Sequence, residues 1–508
     1  MILKKYKENY YARTLFLFLL IWFVLSNRFT LSMFETHKNI VYVGLLLVYL
    51  LVLMISCRET DDYCLLMGGF LFQFIFITQT AYTTSCHDLG AFQGFGSSDM
   101  GAGHLGYVGY IYNHGQLPDT NPMWVWGYYN PPLHYILMAI WLKINVAFGI
   151  PNQVCLENLQ LLTMLYSMLS LCIFSSILKE LDISEKVKKM WIMFLSFFPF
   201  FFYISGALGN DILSILFSLI AVLYTLRWYK QNSLKNIIIL AFAIGLGMMT
   251  KINVGLIAPA IAFVFLYVLW TRRKEWKKLL PQFVVFGLIC VPLGLWWSIR
   301  CFLLYEMPIG YVQPLLASPI DVSWYTATQR FFPIKEVWLH PFMDYNKYTI
   351  TYDYGIITTL LKSSLFCAYQ MFAWEDWEYQ LCRVSVFLLL ALLLIGIGIF
   401  IWQLYKHIRH KDWKDIPFWF ATIAFIVQIG MYIHFVFEFP NVSSADFRYI
   451  APSLAYFIIL TKETQNLSQS EKGVIIKDGF IEFINLVIIL FVITTTFIYT
   501  IYLMGLNG

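Results

Sequence analysis

The sequence predicts an all-α protein that crosses a membrane many times. Of its 508 residues, 59% are hydrophobic and 13% are charged, and the chain contains 45 Phe, 33 Tyr and 17 Trp. A soluble domain has a lower apolar share and about twice the charged share. Apolar stretches long enough to cross about 30 Å of hydrocarbon also recur along the whole chain. Together these observations predict a polytopic helical membrane protein.

About thirteen transmembrane helices account for the apolar stretches. The first apolar run is interpreted as a span rather than a signal peptide, because Asn27 and Arg28 follow it in place of a small-residue cleavage site. In chain order the predicted spans are Thr14–Leu31, Asn39–Cys57, Tyr63–Tyr82, Leu159–Leu178, Met190–Tyr203, Ile212–Tyr229, Asn236–Met249, Val254–Trp270, Leu280–Ile299, Val384–Leu404, Phe418–Phe437, Phe447–Leu460 and Ile481–Tyr502.

One further apolar stretch, Pro131–Phe148, is predicted to lie flat at the outer membrane interface. If it spanned the membrane, Lys179–Lys189 and every later basic loop would change sides. As an interfacial helix it leaves all basic loops, and the amino terminus, in the cytoplasm, as the positive-inside rule expects. The loops Thr84–Pro151 and Tyr305–Arg383 and the turns before Asp211 and Arg448 then open outside.

The spans and loops divide the chain into four parts. Residues 1–62 hold two additional amino-terminal spans, and residues 63–300 form a core that includes an external loop at 83–151. A long external loop follows at 301–383, and residues 384–508 hold the last spans. Cys367 and Cys382 frame the end of the long loop, where either a disulfide or two thiols fit the sequence.

The external segments gather acidic, basic and imidazole groups that hydrocarbon normally excludes. A helix cap explains a lone Asp, and snorkelling to lipid head groups explains a lone Lys or Arg. The convergence of acids and bases from separate loops on one face indicates a site instead. The candidate residues are His87, Asp88, Asp99, His104, Asp211, Lys251, Arg300, Arg448 and Tyr449.

Several motifs resemble those of the GT-C superfamily of membrane glycosyltransferases. His87-Asp88 stand where those proteins carry an acidic motif after an early span, and GHLGYVGYIYNHGQLPD and YYNPPLHYIL follow it. GNDIL contains Asp211, Thr250-Lys251 end a glycine-rich helix, and Arg448-Tyr449-Ile450-Ala451-Pro452 complete the pattern. The chain is most similar to protein O-mannosyltransferases and lipid A aminoarabinose transferases, and within them to a bacterial His-Asp subgroup. It departs from that subgroup at Asn130 and Tyr135, where the subgroup has His.

The resemblance implies a GT-C-like bundle and inverting sugar transfer from a polyprenyl-phosphate-linked donor. The acceptor would be a protein, a lipid or a cell-envelope glycan, and the enzyme would lie in a bacterial plasma membrane. Asp88 is the candidate general base and Asp99 its rival, while Asp211 orients the acceptor or a metal. Lys251, Arg300 and Arg448 would bind the phosphate, with His87, His104 and Tyr449 as polar contacts. Whether a divalent metal takes part is left open.

Two other functions remain compatible with the sequence. A polyprenyl-linked sugar flippase or transporter would also need many spans, but internal repeats and midplane charges are not evident. An O-antigen ligase or polymerase would place its chemistry in the late external loop, where Arg330, His340 and Lys347 lie. Nucleic acid is not expected as a partner, because the basic loops are short and no nucleotide-binding motif is present.

Overall fold

The computed structural model describes residues 62–85, 88–315, 318–367, 376–462 and 474–505. The first two predicted spans, and with them nearly all of the predicted amino-terminal part, lie outside the described residues, as does His87. Within the described ranges the chain is helical, apart from turns, loops and one isolated bridge between Asp321 and Asn441. The predicted all-α class is therefore confirmed.

Short connections join most of the helices, and the longer connections lie at the same end of the bundle as Asp88. In chain order they are α1 Asp62–Gln79, α2 Gly103–His114, α3 Leu133–Ala147, α4 Asn152–Glu157, α5 Leu159–Glu180, α6 Glu185–Ser196, α7 Pro199–Gly206, α8 Asp211–Lys230, α9 Leu234–Met248, α10 Ala258–Thr271, α11 Trp276–Tyr305, α12 Ala327–Phe331, α13 Lys335–Leu339, α14 Ile356–Phe366, α15 Asp376–Arg409, α16 Ile416–Glu438, α17 Ser453–Leu460 and α18 Val474–Gly505. Short 3₁₀ turns at Ile252–Ile257, Arg273–Glu275, Val442–Ala445 and Phe447–Tyr449 connect some of them.

Seven helices of the described chain are long and apolar enough to cross a membrane, and an eighth span results if the bent pair α6–α7 is counted as one. Their bounds confirm seven of the predicted spans. These helical segments are Asn152–Glu180, Asp211–Lys230, Ile252–Thr271, Arg273–Tyr305, Asp376–Arg409, Ile416–Glu438 and Gly479–Leu503. The helices of the predicted spans Tyr63–Tyr82 and Asn236–Met249 are shorter: the apolar part of α1 is Cys64–Gln79, and α9 is Leu234–Met248.

The prediction of a continuous span at Phe447–Leu460 is wrong. The segment is a 3₁₀ turn at Phe447–Tyr449 followed by the 8-residue helix α17. Pro452 stands at the N-cap of α17, and proline has no N–H to continue the hydrogen bonding of a preceding helix. At 1.5 Å per residue, α17 is about 12 Å long, so it does not cross the hydrocarbon alone.

The stretch predicted to be interfacial forms α3, which is 15 residues long. A helix of that length extends about 22 Å, less than the thickness of the hydrocarbon core. One side of α3, with Tyr135 and Met138, is buried against α2, whereas Lys143 and Phe148 are exposed. Its orientation in the membrane stays a prediction.

The long loop predicted at 301–383 contains three short helices, α12, α13 and α14, and α15 begins inside it at Asp376. Helix α14 packs against α7 and against the Phe447–Tyr449 turn. Its Lys362 is fully buried and lies 2.7 Å from Asp353, so the loop is a packed part of the fold. Among the described residues, Cys367 and Cys382 form no disulfide with each other.

Candidate active site

Asp211 is the first residue of the spanning helix α8, and two cations hold its buried carboxylate. The side chain of Asp211 is 6% exposed. Nζ of Lys251 donates to its Oδ1, and Nη1 of Arg448 lies 3.4 Å from its Oδ2. The partial positive charge at a helix amino terminus also favours a carboxylate. Burial of this negative charge is therefore compensated on both oxygens.

Lys251 reaches Asp211 because α8 and α9 are joined at this end of the bundle. The side-chain amide of Asn210 donates a 2.9 Å hydrogen bond to the carbonyl of Thr250, the residue before Lys251. Lys251 is the N-cap of the 3₁₀ turn that leads into α10, so its backbone is extended there. Asn210 also lies 3.4 Å from the side-chain oxygen of Asn130, which ties the start of α3 to the same point.

Arg448 is held by the 3₁₀ turn Phe447–Tyr449, which Asp446 caps. The backbone N–H of Arg448 donates a 2.9 Å bond to Oδ1 of Asp446. The ring of Tyr449 lies under both cations, 5.0 Å from Cζ of Arg448 and 4.7 Å from Nζ of Lys251. Arg448 is buried, and its Nε has no hydrogen-bond partner within the described part of the chain. One donor of the buried guanidinium therefore has no partner in the described part of the chain.

Asp88 completes the cluster from the loop between α1 and α2 and differs from Asp211 in its access to solvent. Its side chain is 44% exposed, and its Oδ2 lies 3.7 Å from Nη2 of Arg448. Its backbone is left-handed, with φ of +52°, a conformation that Asp tolerates better than most residues. The carboxylate is thus near a cation and accessible to a substrate.

The start of α2 fixes the backbone of Asp88. The N–H of His104 donates to the carbonyl of Asp88 at 3.0 Å. Gly103 has φ of +77°, and a Cβ at this position would come within 2.6 Å of the same carbonyl. Glycine is therefore required for this close approach.

His104 is the buried imidazole behind the two carboxylates. Its Nδ1 lies 2.9 Å from the hydroxyl of Tyr135, and its ring stacks on the Tyr135 ring with centroids 5.8 Å apart. Gly209 lies between His104 and Asp211, since a Cβ on it would be 3.3 Å from Nε2 of His104 and 3.6 Å from Oδ2 of Asp211. Burial lowers the pKa of His104 to about 4, although the charges of Asp88 and Asp211 oppose this shift. The imidazole is therefore neutral near pH 7.

The structure brings together six of the predicted residues and leaves others apart. Asp88, His104, Asp211, Lys251 and the Arg448-Tyr449 pair meet at one end of the bundle. Asp99 is exposed, with its N–H bonded to the Ser97 hydroxyl.

Arg300 is the second predicted residue that lies apart. Its Nη2 donates to the carbonyl of Pro118 at 3.2 Å, and its guanidinium lies 5.2 Å from the ring centroid of Trp297. Arg300 therefore connects α11 to the loop that follows α2 rather than to the cluster.

Asp446 is a site residue that the sequence reasoning missed. It is 1% exposed, and burial raises the pKa of its carboxyl group, against the opposing charge of Arg448. Its position two residues before Arg448, at the start of a turn, matches the preference of Asp for N-caps. That spacing is the signal from which the residue could have been found.

Protein cations occupy the space between the carboxylates of the cluster. Arg448 contacts both Asp88 and Asp211, and Lys251 contacts Asp211. No group of three or more His, Cys, Asp or Glu among the described residues, which exclude His87, converges as metal ligands do.

A family model described as dolichyl-phosphate-mannose-protein mannosyltransferase matches residues 130–297, which include Asp211 and Lys251. This match confirms the predicted resemblance to protein O-mannosyltransferases for that part of the chain. No curated protein sequence matches the chain significantly.

Solved structures of membrane glycosyltransferases align with most of this chain at low identity. ArnT from Cupriavidus metallidurans bound to undecaprenyl phosphate is 10% identical, with 91% of this chain and 77% of ArnT covered and a TM-score of 0.45. The oligosaccharyltransferase of Archaeoglobus fulgidus in its apo form is 14% identical, with a TM-score of 0.49. That comparison covers 88% of this chain and 56% of the archaeal protein, so this chain spans little more than half its length.

Proposed function

We propose that the protein is an integral-membrane glycosyltransferase that moves a sugar from a polyprenyl-phosphate-linked donor to an acceptor hydroxyl on the external face. The match to the mannosyltransferase family and the polytopic helical fold support sugar transfer in a membrane. The observation that carries the proposal is the contact of the half-exposed carboxylate of Asp88 with the buried guanidinium of Arg448, 3.7 Å apart. A base for the acceptor and a cation for the leaving phosphate thereby lie side by side.

The reaction that this arrangement suits is a single displacement with inversion. The acceptor oxygen attacks the anomeric carbon from the face opposite the phosphate and forms the new glycosidic bond. The bond between the anomeric carbon and the phosphate oxygen breaks, and its electron pair leaves with the polyprenyl phosphate. The acceptor proton passes to Asp88. The phosphate gains one negative charge as it leaves, so fixed cations beside it stabilise the transition state.

The two aspartates of the cluster have different roles in this scheme. Asp211 is buried and has a cation on each oxygen, so it cannot readily accept a proton from a substrate. We assign it to holding Lys251 and Arg448 in place. Asp88 is exposed enough to meet an acceptor and has a single cation contact at 3.7 Å. A positioned carboxylate base contributes about 10²–10⁴ to the rate.

The donor and acceptor follow from the same scheme. The donor is a polyprenyl-phosphate sugar, and the acceptor is a protein, a lipid or a cell-envelope glycan with a free hydroxyl. The protein would act in a plasma membrane, with its amino terminus in the cytoplasm and the cluster outside. Asp99 and Arg300, which the sequence also offered, lie apart from the cluster, and we give them no role in the transfer.

The proposal is tested with purified protein and a synthetic polyprenyl-phosphate mannose, the donor class suggested by the family match. Transfer to a mixture of membrane and envelope acceptors is followed by mass spectrometry, and NMR gives the anomeric configuration of the product. The proposal expects a product of inverted configuration. A product of retained configuration would contradict single displacement, and no transfer from a panel of polyprenyl-phosphate sugars would contradict the function.

A further inference from the structure

Tyr129 lies beside the candidate active site but has no role in the scheme given above. It belongs to residues 126–130, here called the aromatic segment, in the loop between α2 and α3. Its side chain is partly buried and packs against the small cluster of Trp297, Cys301 and Met307. Among the described residues its phenol oxygen has no hydrogen-bond partner, and it is not one of the fully enclosed polar atoms. The hydroxyl can therefore bond to water or to a ligand.

The aromatic segment is fixed at one end beside Asp88. The N–H of Gly103 donates a 2.7 Å hydrogen bond to the carbonyl of Trp126. The next N–H along the chain, that of His104, donates to the carbonyl of Asp88 at 3.0 Å. Gly127 has φ of +89°, and a Cβ on it would lie 3.1 Å from the backbone of Gly103. The start of α2 therefore positions the aromatic segment and Asp88 together.

The other end of the aromatic segment is fixed to α11 and to the start of α8. Nε1 of Trp297 donates a 3.2 Å hydrogen bond to the carbonyl of Tyr129. The side-chain oxygen of Asn130 lies 3.4 Å from Nδ2 of Asn210, the residue before Asp211. Tyr129 is thus held between the points that anchor the two carboxylates of the site.

The phenol of Tyr129 lies within electrostatic reach of both members of the Asp88–Arg448 contact. Burial raises the pKa of this phenol, and Tyr449 and the negative charge of Asp88 raise it further. The charge of Arg448 opposes this shift, with a smaller effect than that of Asp88. The hydroxyl therefore keeps its proton near pH 7 and can donate a hydrogen bond.

Two neighbouring rings fix the plane of the Tyr129 ring. The ring of Tyr311, from the loop that follows α11, lies 5.9 Å from it at 83°, and the ring of Trp126 lies 6.3 Å from it at 78°. Such edge-to-face contacts are favourable. Small-molecule sites are typically lined by aromatic side chains, with a few polar groups that fix the orientation of the ligand. A rigid ring with a free hydroxyl beside Asp88 has these properties.

We propose that Tyr129 binds the sugar of the donor, with its hydroxyl donating to a sugar hydroxyl, and so helps to determine which sugar is transferred. This inference rests on the proposed function. In that scheme the phosphate lies at Arg448 and the acceptor oxygen lies at Asp88, so the group between them is the sugar. A phenol that both charges reach faces this sugar. A site that bonds to a substrate hydroxyl discriminates against analogues that lack it, because its own polar group is then left unpaired.

The test measures equilibrium binding of two ligands to the full chain in detergent. The first is the member of a panel of polyprenyl-phosphate sugars (mannose, glucose, galactose and aminoarabinose) that the wild type binds most tightly. The second is polyprenyl phosphate without a sugar. Tyr129→Phe removes one neutral hydrogen bond to the sugar, so it should weaken binding of the first ligand about fivefold. It should leave the affinity for polyprenyl phosphate within about twofold of the wild-type value.

Monodeoxy analogues of the same sugar identify the contact. The wild type should bind the analogue that lacks the contacted hydroxyl about fivefold more weakly than the parent ligand. Tyr129→Phe should bind this analogue as tightly as the parent ligand, because the hydrogen bond is already absent. Removal of any other sugar hydroxyl should affect the wild type and Tyr129→Phe equally. A purely structural role of Tyr129 would not produce this pattern.

Tyr112→Phe is the matched control. Tyr112 is also partly buried, but it lies in α2 and its ring packs edge-on against Phe95, with centroids 5.5 Å apart. It should bind both ligands like the wild type. Tyr129→Phe removes no hydrogen bond within the described part of the chain, so it should unfold at the wild-type temperature.

The proposal is overturned if Tyr129→Phe binds the sugar-bearing ligand as tightly as the wild type does. It is also overturned if the variant loses affinity for both ligands equally, because the hydroxyl would then bind the phosphate, or if no deoxy analogue removes the difference. An equal loss in Tyr112→Phe would overturn it as a general effect. A wild type that binds no member of the panel would instead contradict the proposed function itself, so the two failures are distinguishable.

Discussion

Nη1 of Arg448 lies 3.4 Å from Oδ2 of Asp211, although 237 residues separate the two in sequence. The contact joins a 3₁₀ turn late in the chain to the first turn of α8. Lys251 reaches the other carboxylate oxygen from the end of α9. Three elements that are distant in sequence therefore depend on one buried carboxylate for the placement of their charges.

This relationship predicts that Asp211→Asn destabilises the protein strongly. Removing one member of a buried ion pair leaves the other charge uncompensated, which costs about 3–5 kcal/mol. The double variant Asp211→Asn/Lys251→Met removes one of the two stranded cations and should recover part of the loss. Thermal unfolding in detergent measures both. An Asp211→Asn protein as stable as the wild type would show that the carboxylate does not anchor the cations.

Asp88→Asn is predicted to abolish transfer with little loss of donor binding. The amide keeps the size of the side chain but does not accept the acceptor proton, so turnover should fall by about 10²–10⁴. Asp99→Asn is the matched control, because Asp99 is exposed and lies apart from the cluster. Single-turnover rates at saturating donor measure the effect. Near-normal transfer by Asp88→Asn, together with loss in Asp99→Asn, would make Asp99 the base.

Lys251→Ala and Arg448→Ala are predicted to weaken donor binding at least about tenfold. A charge-assisted contact with phosphate contributes about 1.5–3 kcal/mol, and about 1.4 kcal/mol corresponds to a factor of ten. Arg300→Ala is the comparison, since Arg300 contacts Pro118 and Trp297 and should change donor affinity little. Equilibrium binding of a fluorescent polyprenyl phosphate measures all three. Equal losses for Arg300 and Arg448 would contradict the assigned phosphate site.

The sequence predicts most of the long helices because continuous apolar runs are visible without tertiary information. The prediction from sequence fails where length and hydropathy do not determine whether an apolar run forms one continuous helix. The run Phe447–Leu460 reads as a span, yet its short length and Pro452 break it into a turn and α17. The break has a structural consequence, because the turn brings Arg448 to Asp211.

The sequence predicts only part of the candidate site, because it shows where helices end but not how side chains pack. Asp211, Lys251 and Arg448 stand at predicted helix ends, and Asp88 stands in a predicted loop on the same face, so the topology predicts that they lie near one another. Arg300 satisfies the same criterion but points its guanidinium to a loop carbonyl, which depends on packing. Asp446 was missed because its role is to cap a 3₁₀ turn that hydropathy does not reveal.

The burial of His104 predicts that the folded protein loses stability in acid. Its pKa is lowered by burial from 6.5 to about 4, so the unfolded chain takes up a proton in this range that the folded chain does not. Stability is therefore complete above about pH 6.5 and falls as the pH drops toward 4, by on the order of 3 kcal/mol.

Thermal unfolding between pH 4 and 7 checks this dependence against two variants. His104→Gln removes the titrating group, so its unfolding temperature should vary less with pH than that of the wild type. His114→Gln, which changes an exposed histidine of the same helix, should keep the wild-type dependence. The same slope in wild type and His104→Gln would show that another group causes the acid sensitivity.

The most direct test of the proposed function is to ask whether the donor bond breaks only when an acceptor is present. Purified protein is reconstituted into vesicles with a polyprenyl-phosphate sugar labelled in both the lipid and the sugar, and free polyprenyl phosphate is measured with and without acceptor. An enzyme of the proposed kind releases polyprenyl phosphate when acceptor is added, and Asp88→Asn does not. Movement of the intact lipid-linked sugar across the vesicle membrane, without cleavage in either condition, would contradict the proposal and establish a flippase.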